Sequence, residues 1–436
     1  MATSGRIFIA ELGVGEQGDS IGGQVLIRGW AKFVRKTKST TFIVLQDASG
    51  TVQCVGSAQL PVHVKREDAL EIVGKPRKDE RAKPLGFEVD IVEIRVIGVA
   101  SESLPFPSGG NDIAEVGIET VLDYRPLSLR TDRVGTIFRI QAALVEGFRE
   151  ALRKRRFTEI ITSKIVGGGT EGGANLFAIQ YFDRVAYLAQ SPQFYKEHGV
   201  LGFERVFETG HVYRAEPHAT SRHLTEYYSL DFEMGFIDGP EDIIQVEREA
   251  LTEIFETIKQ RFEKQLAGFE SYLPSMMNVP TWTFDAFVER LAKAHGRTDL
   301  IDDLNPEAER QLCTMAEQEC GVAAVFVIGY PMSARPFYTH PRGDTDRAAG
   351  FDLLFRGLEI TTGGQRLHTR TDLEAALRAK GVDPTVFEPH LKMFELGMPP
   401  HGGLAIGLER LTAQILGLKN IREATMYPRD MNRLSP

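Results

Sequence analysis

Residues 212–234 read VYRAEPHATSRHLTEYYSLDFEM, and the fold of the larger part of the chain turns on them. The runs RVFETGHVYRAEP and TEYYSLDFEMGF are strand-like and a polar loop joins them, so the segment reads as an antiparallel hairpin. Its polar residues stand in unusual places. Arg214 and Glu216 close the first strand, and Asp231 interrupts an otherwise apolar second one. Charged side chains are rarely inside a protein unless they are paired or used. Taken alone, Arg214 and Glu216 fit an i, i+2 ion pair on one strand face. Similar groups recur, however: Ser191, Gln193 and Lys196 in AQSPQFYK, Glu359 through Arg366 in GLEITTGGQR, and Glu409 and Arg410 in GLER. Together they offer cations for a polyphosphate, acids for a magnesium ion, and a mixed set able to hold a zwitterion.

Outward from the hairpin, residues 134–155 have apolar positions at helical spacing, and FTEIITSKIV after them is β-like. GGGTEGG at 167–173 is glycine-rich but lacks the Gly-Lys-Ser/Thr of a P-loop. Residues 240–268 read as a long amphipathic helix, and the stretch 240–325 as a mostly helical insertion. Residues 134–436 are therefore expected to form an α+β domain on an antiparallel sheet. Residues 22–100 instead alternate apolar and polar residues in five short runs separated by turns, which predicts a small barrel of the OB-fold type. SLPFPSGGND breaks that pattern, giving a division into 1–104, a linker 105–133, and 134–436.

Composition is consistent with this. A chain of 436 residues, 42% hydrophobic and 25% charged, suits a globular protein of two domains or more. There is no apolar run of membrane length and no secretion signal at the start, and three cysteines are too few for a disulfide framework or a four-ligand zinc site. A cytoplasmic protein with buried thiols at Cys313 and Cys320 is expected. A net charge of −9 argues against nonspecific coating of nucleic acid but leaves specific binding open. The run 28–38 gathers Arg28, Lys32, Arg35, Lys36 and Lys38 with no acid among them, which is a solvated face unless its neighbours say otherwise.

At this point a resemblance becomes specific. The hairpin, with Arg-x-Glu opening its loop, resembles motif 2 of the class II aminoacyl-tRNA synthetases, and GLAIGLERL resembles their motif 3. GGGTEGG, LAQSPQFYK, RPFYTH, GLEITTGGQRLH, GMPPHGG, NIREA and YPRDMNRLSP resemble, in order, the aspartyl-tRNA synthetase family of the archaeal and eukaryotic type. The likeness spans nearly the whole chain, the OB-like part included. Motif 1, expected within 137–166, departs from the pattern: Ser163 stands where a proline is usual. That motif builds a homodimer interface in the class.

The resemblance implies an ATP-dependent ligase that forms aspartyl-adenylate and loads it onto tRNA. It assigns Arg214 to the α-phosphate, Arg410 to the γ-phosphate with His223 and Arg222 near it, Glu216 to the adenine amino group, Tyr227 or Tyr228 to the base, and Gly407 to the nucleotide. Glu359 becomes the Mg2+ ligand, with Thr362 where a serine is more usual. For the amino acid it implies Glu171, Ser191, Gln193, Lys196, Asp231, Thr362, Gly364 and Arg366. Arg366 would face a side-chain carboxylate, which excludes lysine. Lys196 with Asp231 favours aspartate over asparagine, because a buried ammonium facing a neutral amide is left uncompensated. On the barrel it implies an anticodon face of Phe42, Gln53 and Glu88 with Lys32 beside them; alternation alone would equally well bury Phe42. Lys32 replaces a tryptophan of strict relatives and leans toward charging tRNA(Asn) as well as tRNA(Asp), with an amidotransferase correcting the product. The competing readings are an asparaginyl-tRNA synthetase, a tRNA-independent asparagine synthetase paralogue, and an inactive tRNA-binding descendant.

Overall fold

The structure, a computed structural model, describes residues 5–13, 23–82, 85–109, 112–169, 175–217, 220–296, 299 and 302–436. The chain divides into two compact units, Met1–Gly135 and Thr136–Pro436.

In the first unit β1 (Val25–Lys36), β2 (Thr40–Gln46), β3 (Thr51–Ser57), β4 (Ala69–Lys78) and β5 (Phe87–Gly98) close a barrel in the order β1-β2-β3-β5-β4. All pairings are antiparallel except β3 with β5. Strict alternation sends Ile43, Leu45, Val52, Cys54, Leu70 and Ile72 inward to one apolar core. The same alternation leaves Phe42 half-buried outside that core.

The second unit holds the short strands β6 (Thr158–Glu159), β7 (Ile165–Val166), β8 (Ala178–Tyr181) and β9 (Arg184–Leu188), followed by β10 (Arg205–Tyr213) and β11 (Glu226–Gly235). After them come β12 (Thr281–Thr283), β13 (Ala324–Ile328), β14 (Gly350–Phe355), β15 (Leu358–Arg366) and β16 (His401–Gly407). Eight of these strands form one sheet in the order β12-β13-β14-β15-β16-β11-β10-β6, antiparallel through its centre and parallel only at its two edges. β7, β9 and β8 make a separate three-stranded sheet. Among the described residues of the stretch 240–325 there are three α-helices, Pro240–Leu266, Phe284–His295 and Pro306–Cys320, and also β12 and the start of β13, strands that form one edge of the large sheet.

The two faces of the large sheet differ. Phe207, Leu230, Phe232, Phe351, Leu353, Leu404 and Ile406 join one core with the helices Asp132–Lys154 and Pro240–Leu266. The second of these helices begins on Pro240, with Glu241 and Asp242 in its first turn, which suits the positive helix end. It buries Ile243, Ile244, Leu251, Ile254 and Ile258 along one stripe. Residues one step along each strand point the other way. There β11 presents Ser229, Asp231 and Glu233, a sequence no apolar layer would tolerate. On this second face Phe284, Phe287 and Leu312 pack over Val325, Val327 and Leu354 at the β13–β14 side. Cys313 is buried in that layer, whereas Cys320, at the last position of its helix, is exposed, so the expectation of two buried thiols holds for only one. Among the described residues no helix is long and apolar enough to cross a membrane.

Candidate active site

Register places the polar face. Across β11, β16, β15 and β14, Asp231 stands opposite Ala405, Ala405 opposite Thr362, and Thr362 opposite Asp352. The next row is Glu233, Gly403, Gly364 and Gly350, and the one beyond pairs His401 with Arg366. Antiparallel partners share a face, so these rows form one polar surface. In the first two rows β16 contributes only the small residues Ala405 and Gly403, and at Gly403 for a steric reason: a Cβ there would lie 2.0 Å from Phe232 O and 2.3 Å from Glu233 Oε2. A Cβ on Gly364 would likewise meet Ala349 O at 2.8 Å.

A cleft of about 650 Å3 opens over one end of this surface. It is lined by Arg214, Glu216, Arg222, His223, Tyr227, Glu359, Gly407 and Arg410, the whole set expected for the nucleotide, together with Thr362 and Glu409. Of the two candidate tyrosines the cleft takes Tyr227; Tyr228, the next residue on the strand, instead turns its hydroxyl to Thr209. Arg214 lies over the Tyr227 ring at 5.7 Å and 4.0 Å from Glu216. Arg410 donates to the Glu359 backbone carbonyl at 3.0 Å and is 3.5 Å from its carboxylate. On the loop, Arg222 is held by Glu309 at 3.0 Å and by Gly357 O at 2.6 Å, and His223 lies 2.7 Å from the Thr220 hydroxyl.

The metal candidates sit at the edge of the cleft. Thr362 donates to Asp352 at 2.7 Å, and Arg335 forks onto the same carboxylate at 2.9 and 2.7 Å. Confinement in the cleft, and then Asp352 nearby, push Glu359 up to about 7. Two carboxylates crowded in this way fit a divalent cation, which would relieve the repulsion. No group of three or more His, Cys, Asp or Glu able to hold a metal ion occurs among the described residues, and Mg2+ needs none when waters and phosphate oxygens complete its shell.

Of the amino-acid candidates, Asp231 and Arg366 lie further along the same strands, while Ser191, Gln193 and Lys196 lie on or just before the helix Gln193–Phe203; Lys196, Gln193, Asp231 and Arg366 are buried. Lys196 is fully buried, 2.9 Å from Asp231 and 3.5 Å from Glu233, and donates to Leu404 O at 3.1 Å. Arg366 donates to Glu233 at 3.0 Å, to Gly403 O at 3.0 Å and to Gln193 Oε1 at 3.3 Å. Ser191 uses its hydroxyl locally, accepting from the Gln193 backbone N–H at 3.2 Å. Glu171 lies outside the described residues.

In the barrel, Gln53 donates to Glu88 at 2.8 Å, Arg77 also pairs with Glu88, and Arg35 lies 4.8 Å over the Phe42 ring. Lys32 is placed differently from these. It is buried, and its ammonium is 2.9 Å from Asp132.

Comparison with known proteins decides the family. Residues 117–431 match the model of tRNA synthetases class II (D, K and N), and residues 25–97 match that of the OB-fold nucleic acid binding domain. The chain belongs to the class II tRNA synthetases of the D, K and N group. It is 44% identical to the aspartate--tRNA(Asp/Asn) ligase of Deinococcus radiodurans, over 95% of this chain and 96% of that one. It is 43% identical to the Thermus thermophilus protein of the same name, over 95% and 97%. Among solved structures, asparaginyl-tRNA synthetase from Pyrococcus horikoshii bound to asparaginyl-adenylate superimposes with a TM-score of 0.89 at 30% identity, covering all of both chains. As a synthetase of this class the chain uses ATP as a substrate and carries an N-terminal OB-fold.

Four residues of the site escape a reading of the sequence alone. Asp352 sits inside FDLLF, and a lone acid in an apolar strand was a usable signal. Glu233 is two residues from Asp231 and therefore on the same face. Arg335 and Glu309 carry no local signal, since register and helix packing bring them in.

Proposed function

We propose that this synthetase is an aspartate--tRNA ligase. It activates L-aspartate with ATP, releasing pyrophosphate, and transfers the aspartyl group to the 3′ end of tRNA(Asp) and tRNA(Asn). The observation that carries the reading is the convergence of Arg214, Arg410, Glu216 and Glu359 on one cleft, with Arg366 on β15 and Lys196 on the helix Gln193–Phe203 buried beyond it. In activation an oxygen of the aspartate α-carboxylate attacks the α-phosphorus while the bond to the pyrophosphate oxygen breaks. A carboxylate nucleophile needs no base, so the protein contributes position and charge. Arg214 holds the α-phosphate and Arg410 the terminal one; Tyr227 packs on the base, and Glu216 accepts from its amino group. Glu359 would hold Mg2+, with Asp352 and Thr362 beside it, and the ion would neutralise phosphate charge.

For the amino acid, Arg366 and Lys196 supply positive charge to the side-chain carboxylate, and Asp231 and Glu233 hold both cations in place. The fold alone would equally suit asparagine, as the Pyrococcus horikoshii likeness illustrates; the identities of 44% and 43% to aspartate ligases weigh for aspartate. Those two relatives are named for both tRNAs, which supports relaxed tRNA choice; aspartate placed on tRNA(Asn) would then need correction by an amidotransferase. ATP–pyrophosphate exchange with aspartate, asparagine and lysine, followed by charging of purified tRNAs, tests the reading. Exchange with asparagine stronger than with aspartate would overturn it.

We further assign the barrel to the anticodon loop, and the enzyme to the cytoplasm as a homodimer. Ile161, Ile165, Phe182 and Val185 are exposed on the three-stranded sheet and the segment leading into it, an apolar surface that a second copy would cover. Light scattering should report a dimer, and Phe182→Asp should shift it toward monomer; a monomeric active wild type would contradict the assignment.

A further inference from the structure

Behind the amino-acid end of the site lies a cluster that the mechanism above does not use. Glu197, one turn along the helix Gln193–Phe203 from Gln193, is fully buried; so is His401, and His390 is nearly so. Gln193 Nε2 donates to Glu197 Oε1 at 2.8 Å and lies 3.4 Å from Glu233 Oε2, while Gln193 Oε1 accepts from Arg366 at 3.3 Å. Carboxylates on one side and a guanidinium on the other fix the sense of that amide. Reversed, it would set N–H against guanidinium and oxygen against carboxylate.

Geometry also assigns the protons. His401 Nδ1 is 2.9 Å from Pro399 O, an acceptor only, so Nδ1 carries a hydrogen. Its Nε2 stands 3.7 Å from Glu197 Oε2, at ion-pair distance, where a bare lone pair would face a carboxylate. Protonation of both nitrogens removes the conflict. His390 differs: its Nδ1 is 2.9 Å from His198 Nε2 and its Nε2 is 3.6 Å from the same Glu197 oxygen, and a neutral ring satisfies both. The acidities agree. Burial works against a charged Glu197, but His401 and His390 hold it down at about 2. Burial works against a charged His401 as well, and Glu197 outweighs it to raise the imidazole. Burial, with the His198 and His401 rings beside it, drives His390 to about 4; burial lowers His198, and burial with His340 and His401 lowers His368. The pocket then balances three cations, Lys196, Arg366 and His401, against three carboxylates, Asp231, Glu233 and Glu197.

We propose that Glu197 and His401 are positioning residues for amino-acid recognition. Their ion pair locks the Gln193 amide toward Arg366 and keeps the pocket neutral, so that it accepts a side-chain carboxylate in preference to a carboxamide. A Glu197 without its partner would repel the substrate carboxylate. The inference rests on the aspartate reading above.

The test is exchange kinetics on the full-length enzyme with aspartate varied, in wild type, Glu197→Gln, Glu197→Ala, His401→Asn and the double variant E197Q/H401N. Asparagine at 401 keeps a donor for Pro399 O but carries no charge. H401N should raise the aspartate KM roughly tenfold or more, with kcat and the ATP KM little changed. E197Q keeps an acceptor for Gln193 and should be mild, whereas E197A should raise the aspartate KM. The double variant should recover most of what H401N loses, which two packing defects added together would not do. A double variant as impaired as H401N, or an aspartate KM unmoved in H401N, overturns the proposal. If H401N does not fold, equal aspartate KM values for E197Q and E197A overturn it instead. A wild type that exchanges with asparagine and not with aspartate overturns the substrate reading itself, an outcome distinct from either.

Discussion

At the scale of single residues, Arg214 and Arg410 line the same cleft, and the proposal gives them different tasks. In the proposed mechanism Arg214 faces the phosphorus at which bonds change, where the transition state gathers charge, and its guanidinium can fork onto two oxygens. Removing it as Arg214→Ala should cut aspartate-dependent exchange by roughly a hundred- to a thousandfold or more, mainly in kcat. Arg410 is assigned in that mechanism to a phosphate whose charge changes less during the reaction, so Arg410→Ala should act chiefly on the ATP KM, by roughly ten- to a hundredfold. Steady-state exchange with ATP varied separates the two; near-normal kcat in Arg214→Ala would remove the mechanism. Both arginines were legible in the sequence because they sit in short motifs. Asp352 and Glu233 were not singled out, although each is an acid within an apolar strand. What gives them partners is register: Asp352 opposite Thr362, and Glu233 opposite Gly403 and so beside Arg366. Lys32 illustrates the reverse error. The run 28–38 reads as uniformly basic surface, yet an irregularity in β1 between Ala31 and Phe33 accompanies a buried Lys32 bound to Asp132.

Between elements, the contact of the helix Pro240–Leu266 with β15 includes a buried acid. Glu247 accepts a hydrogen bond from Thr361 at 2.6 Å, and burial pushes its carboxyl from 4.5 up to about 8. The folded protein therefore holds a proton there that the unfolded chain releases at lower pH. The stabilisation is fully present below pH 4.5 and is lost as pH rises through about 8, a change on the order of a few kcal/mol. Glutamine keeps the shape and the acceptor without the charge. Glu247→Gln should thus melt at a similar temperature to wild type near pH 5 and several degrees higher near pH 9. Melting curves at the two pH values check this; equal melting temperatures at both would show that Glu247 does not titrate as its burial implies. Glu409, also raised to about 8 by burial, keeps part of the alkaline slope in the variant. The helix itself was legible from its apolar stripe. The start of β13, AVFVI, falls inside the stretch 240–325 read as mostly helical, because a five-residue apolar run has no period that separates a buried strand from a buried helix.

For the whole molecule, the proposal divides the labour: the unit Thr136–Pro436 holds the cleft, and the barrel reads the tRNA. Phe42 is where that division can be tested. Its neighbours Ile43 and Leu45 belong to the barrel core, while Phe42 is half-buried outside that core with Arg35 above its ring. A ring so placed can receive a base, because single-stranded loops are held by stacking on aromatic faces with base edges read alongside. Gln53 and Glu88, hydrogen-bonded to each other, offer the polar edge such reading needs. Phe42→Ala should weaken tRNA charging roughly five- to 150-fold, the cost of one base–aromatic stack of about 1–3 kcal/mol. Aspartate exchange without tRNA should be unchanged, since none of the residues lining the cleft lies in the barrel. Thermal melting separates this from a packing defect. A phenylalanine removed from a core costs about 3–5 kcal/mol, which would lower the melting temperature of the barrel. Impaired charging with unchanged melting and unchanged exchange therefore assigns Phe42 to the anticodon. Lowered melting, with charging restored on cooling, would make it a structural residue and leave the anticodon face to be sought elsewhere on the barrel.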